Sequence, residues 1–340
     1  QSRMIYTQKL DAAGYLPSFV VNSLVPTSLN VVQEARLAFS RDEEVDTAEI
    51  ARLVDIMEDS ANEIYSIEEL ASINAVLGKA DVAETAMSPI KSPSHLVEMK
   101  SAVVEGEKNN TGYGEVIVDT SIENCVAMEF MSYGRRNLTD FYGKADGVLR
   151  NIFKYGNHSF VNRSIYDLKI PSFSHREFVW KVIWKRLSPD EVIVVYQPLV
   201  DLDPEWGFPV AKDVVRANSW TMVRFQRLPA LVGGIPQTKI GYMSQLDLAG
   251  YAPTKIINKI IPSRLMYLDG IRLMFDKSLE IDGAKRSEFI NTIKDYHGIY
   301  SREEEMQIAA GRARLEDFDK LPNIKSVPSA SPLATSEIAQ

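Results

Sequence analysis

Between His175 and Arg186 the chain alternates: Phe178, Trp180, Val182 and Trp184 fall on one face of a strand, and Val179, Lys181, Ile183 and Lys185 on the other. Ser188-Pro189-Asp190 makes a turn, and Glu191 to Leu199 returns as the next strand. The same period predicts strands over Glu115 to Asp119, Asp213 to Ala217, Thr221 to Leu228 and Gln237 to Asp247, with Gly233-Gly234 in the last hairpin. The period lengthens in two places. Thr120-Ser121-Ile122-Glu123 has capping-box spacing for a helix through Tyr133. After Asp247 the chain leaves the sheet through Gly250, and Pro253 suits the first turn of a helix. Ile257, Ile261, Leu265, Leu268 and Ile271 then keep a helical stripe to Lys277, with Pro262 inside it predicting a kink. Helix, many antiparallel strands, then a long amphipathic helix make an α+β class in which a curved sheet wraps one helix.

Self-comparison sets the larger organisation. At one constant offset Tyr6/Tyr242, Leu10/Leu246, Asp11/Asp247, Gly14/Gly250, Tyr15/Tyr251 and Pro17/Pro253 are identical. So are Asn22/Asn258, Pro26/Pro262, Leu29/Leu265, Arg36/Arg272 and Phe39/Phe275, while Val45-Asp46 faces Ile281-Asp282. A weaker echo relates Ile64-Tyr65-Ser66 to Ile299-Tyr300-Ser301. The period is about 235 residues, one domain rather than a short solenoid unit. It predicts the last strand and final helix of a preceding copy over 1–57, with that helix near Ser18 to Ser40. A polar helix and a Ser/Pro/Lys linker follow over 58–95, a complete domain over 96–295, and a linker helix with a disordered tail over 296–340. The expectation is a fragment of a tandem array.

Composition narrows the function classes. An apolar share of 45% and a charged share of 25% are those of a globular protein with a full core. The net charge of −8, without a basic run, argues against nucleic acid as a partner, since that needs excess Lys and Arg to neutralise phosphates. Cys125 stands alone, which excludes an intramolecular disulfide and fits a reducing, cytoplasmic location. No stretch approaches the roughly 18–20 apolar residues of a membrane span.

Several segments resemble a known family. Arg176-Glu177-Phe178-Val179 resembles a strand motif of START (StAR-related lipid-transfer) domains, and Val214-Val215-Arg216-Ala217 resembles another. Thr238-Lys239-Ile240, Leu246-Asp247-Leu248, Gly250, Pro253 and Ile256-Ile257-Asn258 reproduce, in order, the end of that family's last strand and the start of its final helix. The resemblance spans roughly residues 96–278 and implies a helix-grip fold, whose sheet and C-terminal helix enclose a tunnel for one lipid or sterol. Sterol-carrying members place an arginine and an acidic partner in that tunnel, where this chain has Val182 and Arg163. The resemblance therefore supports a phospholipid or other apolar ligand better than a sterol.

The candidate tunnel residues are Phe178, Trp180, Val182, Trp184, Tyr196, Arg216, Tyr242, Ile257, Ile261, Leu265 and Leu268, with Gly250 and Pro253 as hinge of a movable cover. Each has a plainer alternative. The aromatic face can be ordinary core, Arg216 can pair with an acid such as Asp247, and Gly250 and Pro253 can be helix-start chemistry alone. The histidines at 95, 158, 175 and 297 lack metal-ligand spacing, and Cys125 reads as a buried hydrophobe. No nucleophile elbow, P-loop or dinucleotide fingerprint is present, so no cofactor is implied and the expectation is a non-enzymatic carrier. It would meet a membrane surface transiently to load and unload. The alternatives are a ligand sensor or interaction module in a larger signalling protein, or an enzyme with an acid or base in the tunnel.

Overall fold

Along the central strands both faces of the sheet are buried, because helices cover both. The computed structural model describes Thr7 and residues 40–59, 63–154, 156–170, 173–199, 212–250 and 254–296. The strand and helix expected over 1–39, Pro253, and the tail from 297 lie outside the described residues. In chain order the elements are helices α1 (Asp42–Glu58) and α2 (Ile67–Glu84), then strands β1 (Met87–Pro89), β2 (Glu98–Ala102) and β3 (Thr111–Val118). Helices α3 (Ile122–Phe130) and α4 (Arg135–Gly143) lead to β4 (Gly147–Lys154), β5 (Ser159–Tyr166), β6 (His175–Ser188) and β7 (Glu191–Pro198). Strands β8 (Val214–Arg216), β9 (Asn218–Leu228) and β10 (Gln237–Asp247) precede α5 (Thr254–Lys259), α6 (Ile261–Leu265), α7 (Tyr267–Met274) and α8 (Ser278–Tyr296).

The strands form one sheet in the order β1-β2-β3-β10-β9-β7-β6-β5-β4, antiparallel throughout, with β8 added parallel to the start of β6. On one face Phe178, Trp180, Val182, Trp184, Val194, Phe225 and Ile240 form a core with α1, α3 and the segment Ile257 to Ile271. On the other, Ile183, Ile193, Val195 and Met222 meet Ile73, Val76, Ala80 and Ala83 of α2. Helix α2 starts on a complete capping box, Ser66 with Glu69. The α+β class and a sheet closed over the C-terminal helical segment are as the sequence predicts. Contacts divide the chain after Lys277, so that α1–α7 with the sheet form one compact unit and α8 belongs to another.

Three local readings change. The segment after Pro253 is three short helices rather than one kinked helix, because Pro262 at the start of α6 has no amide to continue the ladder from α5. The helix read from Thr120 to Tyr133 is capped by Ser121 and ends at Phe130. Glu123, the residue assigned to close the capping box, instead accepts from Arg186 and Arg227 at 3.0 and 2.9 Å. The Ser/Pro segment read as linker also contributes to the sheet: Met87 to Pro89 pairs with Ala102 to Lys100. Proline is tolerated there because β1 is an edge strand.

Candidate functional site

The C-terminal helices lie directly on the sheet because β3 carries two glycines where they cross. A Cβ on Gly112 would stand 2.5 Å from Ile261 Cγ2, and one on Gly114 would stand 2.7 Å from Leu268 Cδ1. A larger residue at either position would have to displace the Ile261 or Leu268 side chain. The cavity left beneath them, lined by Tyr242, Ser244, Leu246, Ile257, Ile261 and Leu265 among others, measures about 20 Å³. That is room for about one water molecule. In this structure the helices are closed onto the sheet.

Most apolar candidates come together on this face. Ile257, Ile261, Leu265 and Leu268 are buried in one cluster with Phe178, Trp180, Val182 and Trp184, and Tyr196 and Tyr242 pack against it. Within the cluster the roles diverge. Val182 and Trp184 are fully enclosed, and the Trp184 indole donates to Asn157 O at 2.9 Å, which makes both ordinary core. Phe178 stacks on Trp180 with centroids 5.0 Å apart, and Trp180 meets Tyr196 edge-on at 6.2 Å. This aromatic row runs towards the closing helices, where Tyr242 meets Tyr267 edge-on.

Arg216 lies elsewhere. Alternation on β6 places Glu177 on the opposite face from Phe178, and the parallel β8–β6 pairing sets Arg216 beside it. Glu177 is fully buried and accepts from both Arg163 Nε and Arg216 Nε at 2.6 Å. The acid that meets Arg216 is therefore Glu177, while Asp247 accepts from the Ala249 amide. Neither arginine is on the concave face.

A buried carboxylate that reaches that face is Glu129, on the inner side of α3; the strand pairings also put Asn162, Ser164 and Arg150 on it, with Arg150 Nε donating to Ser164 Oγ at 3.1 Å. The Glu129 carboxylate accepts from Tyr196 Oη at 2.5 Å and from Tyr267 Oη at 2.7 Å, joining α3, β7 and α7. Burial raises its pKa above the usual carboxylate range, with the two hydroxyls opposing the shift, and burial raises both tyrosines well above their ordinary value. In the sequence this acid follows Ile122, Cys125 and Val126 at helical spacing, so it interrupts an apolar stripe. That was the available signal. A carboxyl with a raised native pKa binds more protons folded than unfolded. Its contribution to stability is therefore complete below about pH 4, near the ordinary Glu value, and is lost as pH climbs through the native pKa. Glu129→Gln is expected to flatten this limb, with melting temperatures of variant and parent converging in acid and the variant higher at neutral pH. Parallel melting curves at every pH would refute the assignment.

The segment leading into the C-terminal helices has a left-handed corner and several ties. Ala249 and Gly250 both have left-handed backbones, at φ 55° and 61°, a strained choice for alanine. Just before them the Leu248 carbonyl accepts from the buried Arg176 Nε at 2.7 Å, while Arg176 Nη1 donates to Ser174 O at 2.5 Å. Asn258 pairs reciprocally with Asn110, donating its amide to Asn110 Oδ1 and accepting from the Asn110 backbone N–H. Further along, Asp269 accepts from Ser94 at 2.6 Å, and Arg272 pairs with the buried Asp119 at 2.9 Å. Arg176→Met would leave the buried Leu248 carbonyl without this donor, at a cost of about 1–3 kcal/mol. Amide exchange over Leu248 to Lys259 is expected to accelerate while β6, β7 and β9 stay protected. Uniform acceleration would mean that Arg176 serves the whole fold instead of this corner.

A larger hollow of about 420 Å³ lies on the opposite face between α2 and the sheet, lined by Gly78, Val82, Thr111, Trp220 and Gln245 among others. Among the described residues no group of His, Cys, Asp and Glu has the arrangement of a metal site, and no helix is long and apolar enough to cross a membrane.

No protein-family model and no curated protein matches the chain. Solved structures do. A STAR-related lipid transfer protein fragment from Xanthomonas axonopodis matches at 16% identity and TM-score 0.44, over 56% of this chain and 98% of that one. Human StAR-related lipid transfer protein 5 matches at 18% identity and TM-score 0.47, over 64% and 97%. Truncated norcoclaurine synthase from Thalictrum flavum matches at 11% identity and TM-score 0.26, over 52% and 93%.

Proposed function

We propose that the domain is a non-enzymatic lipid carrier, binding a phospholipid or another apolar ligand between the sheet and α5–α7. The observation that supports this reading is a face of contiguous apolar and aromatic side chains covered, beside α1 and α3, by a segmented and individually tied run of short helices. A permanent core needs no such construction. Opening about Ala249-Gly250 would release Asn258 from Asn110 first and expose Ile257 and Ile261. These can meet a membrane surface while the site loads. Closure over an acyl chain then gains about 25 cal/mol for each Å² removed from water. Glu129 with Tyr196 and Tyr267 would be the polar end of the site, offering hydroxyls and a carboxyl to a headgroup. The tandem arrangement suggested by the repeat would make the domain one of several such modules in a longer chain.

The test is extraction and identification of lipid from the full chain purified from cells, followed by transfer between donor and acceptor vesicles. One lipid per chain and measurable transfer are expected. A lipid-free mass that stays unchanged after incubation with mixed vesicles would end the carrier reading. A rival reading, acid–base chemistry on a bound substrate, is favoured by Glu129 alone; it predicts turnover that Glu129→Gln abolishes while lipid extraction persists.

A further inference from the structure

We propose that α8 is a docking helix for a second copy of this domain, occupying there the seat that α1 occupies here. The argument starts from α1. It has three buried residues, Asp46, Leu53 and Met57, and packs against α3 and α4. Asp46 caps α4: its carboxylate accepts from the backbone amides of Arg135 and Arg136, each at 2.9 Å. The N-cap of α4 is Gly134, which has no side chain for the task, so the cap has to come from another element. Leu53 and Met57 enter the main core.

At the offset of the internal repeat, these three residues correspond to Asp282, Phe289 and Ile293 of α8, and Val45 and Val54 correspond to Ile281 and Ile290. The spacing i, i+7, i+11 places the acid and both apolar residues on one face of either helix. In α8 Ile281 is buried, while Phe289 is 65% exposed, Ile290 43% and Ile293 46%. Large apolar side chains at a shared helical face mark an interaction surface. The differences fall at the rim. Glu49 and Arg52 become Lys285 and Glu288, an i, i+3 pair with its signs exchanged, and Ile50 becomes Arg286. The repeat also continues beyond α1. Tyr65, which donates to Trp184 O, and the capping pair Ser66/Glu69 of α2 recur as Tyr300 and Ser301/Glu304. The sequence of α1 and of the start of α2 thus recurs after α7. A second copy of the domain offers the seat that this face fits once its own α1 is displaced: the α4 N-terminus that an acid caps, and a pocket for two apolar side chains seven and eleven positions on. The proposal is independent of the lipid reading.

Two experiments on the full chain test it. In the first, residues 41–59 are replaced by the sequence of 277–295. The chimera is expected to unfold cooperatively within about 5 °C of the parent, and Asp282→Ala in the transplanted helix to lower its melting temperature as Asp46→Ala lowers the parent's. A chimera that melts as low as the chain carrying Leu53→Asp and Met57→Asp would overturn the proposal. In the second, that seat-opened chain carries Arg135→Cys and is mixed with an otherwise unchanged chain carrying Ser278→Cys, the position matching Asp42, which pairs with Arg135. A short bis-maleimide is expected to give a cross-linked heterodimer that Phe289→Asp in the donor abolishes. Cross-linking no greater than with the Phe289→Asp donor would count against docking. If the opened chain does not fold, the chimera decides.

Discussion

Replacing Glu177 by leucine is expected to cost about 3–5 kcal/mol of folding free energy, because it breaks a buried ion pair from one side. Glu177 is fully buried, and both of its oxygens are engaged, one by Arg163 and the other by Arg216. Removing the carboxylate takes away the partner shared by two guanidinium groups of low exposure, so less of their desolvation penalty is offset. The loss is of charge compensation, so it can be undone without restoring the acid. Arg163→Met, Glu177→Leu and Arg216→Met together are expected to recover most of the stability, since a well-packed apolar group can replace a buried ion cluster. Urea unfolding at neutral pH reads both values. If the single change costs less than about 1 kcal/mol, water reaches the cluster and the ion pairs behave as surface ones. Because the cluster lies on the face away from Phe178, lipid extraction per folded molecule is expected to stay at the parental level.

Leu268→Ala is expected to cost about 2–5 kcal/mol and to change what the site can hold. Leu268 is fully buried and sits over Gly114, whose missing side chain leaves nothing to fill the gap. The neighbouring cavity is about 20 Å³, so the truncation enlarges it in proportion far more than in most cores. The new space opens beside Leu265 and Gly114, and an apolar hole of that kind takes small apolar molecules. The variant should therefore melt at a lower temperature than the parent and recover part of the difference when a short alkylbenzene is added, while the parent shifts little. Equal shifts in both chains would show that the ligand binds elsewhere.

What the sequence made legible is what has a short period. The face Phe178-Trp180-Val182-Trp184 and the stripe Ile257 to Ile271 both enter the core as read, because two- and 3.6-residue periods are fixed by backbone geometry. The residues that decide how the site closes carry no such period. Gly112 and Gly114 lie in a strand where glycine has no side chain to be counted, and their role exists only once Ile261 and Leu268 lie across them. Glu129 shows in the sequence only as an acid interrupting an apolar stripe, and its partners appear once β7 and α7 bring Tyr196 and Tyr267 to it. For Arg216 the error was one of face and partner. The sequence offers the tunnel or an acid such as Asp247, whereas the parallel β8–β6 register, a non-local property, delivers Glu177 on the face away from Phe178. The Ser/Pro segment that joins the sheet as β1 makes the same point. Composition describes a segment's solubility, and an edge strand needs only a free row of partners, which β2 supplies.

The solitary thiol has a use of its own. Cys125 is fully enclosed on α3, and burial pushes its pKa up to about 12. A thiol that is neither ionised nor reachable reacts with an alkylating reagent only when the surrounding structure opens. Its labelling rate is therefore a native clock for unfolding, read by mass without adding a dye or changing a residue. Introduced surface cysteines can be modified in its presence without removing it, and an oxidising pulse that spares Cys125 certifies that the molecules scored were folded.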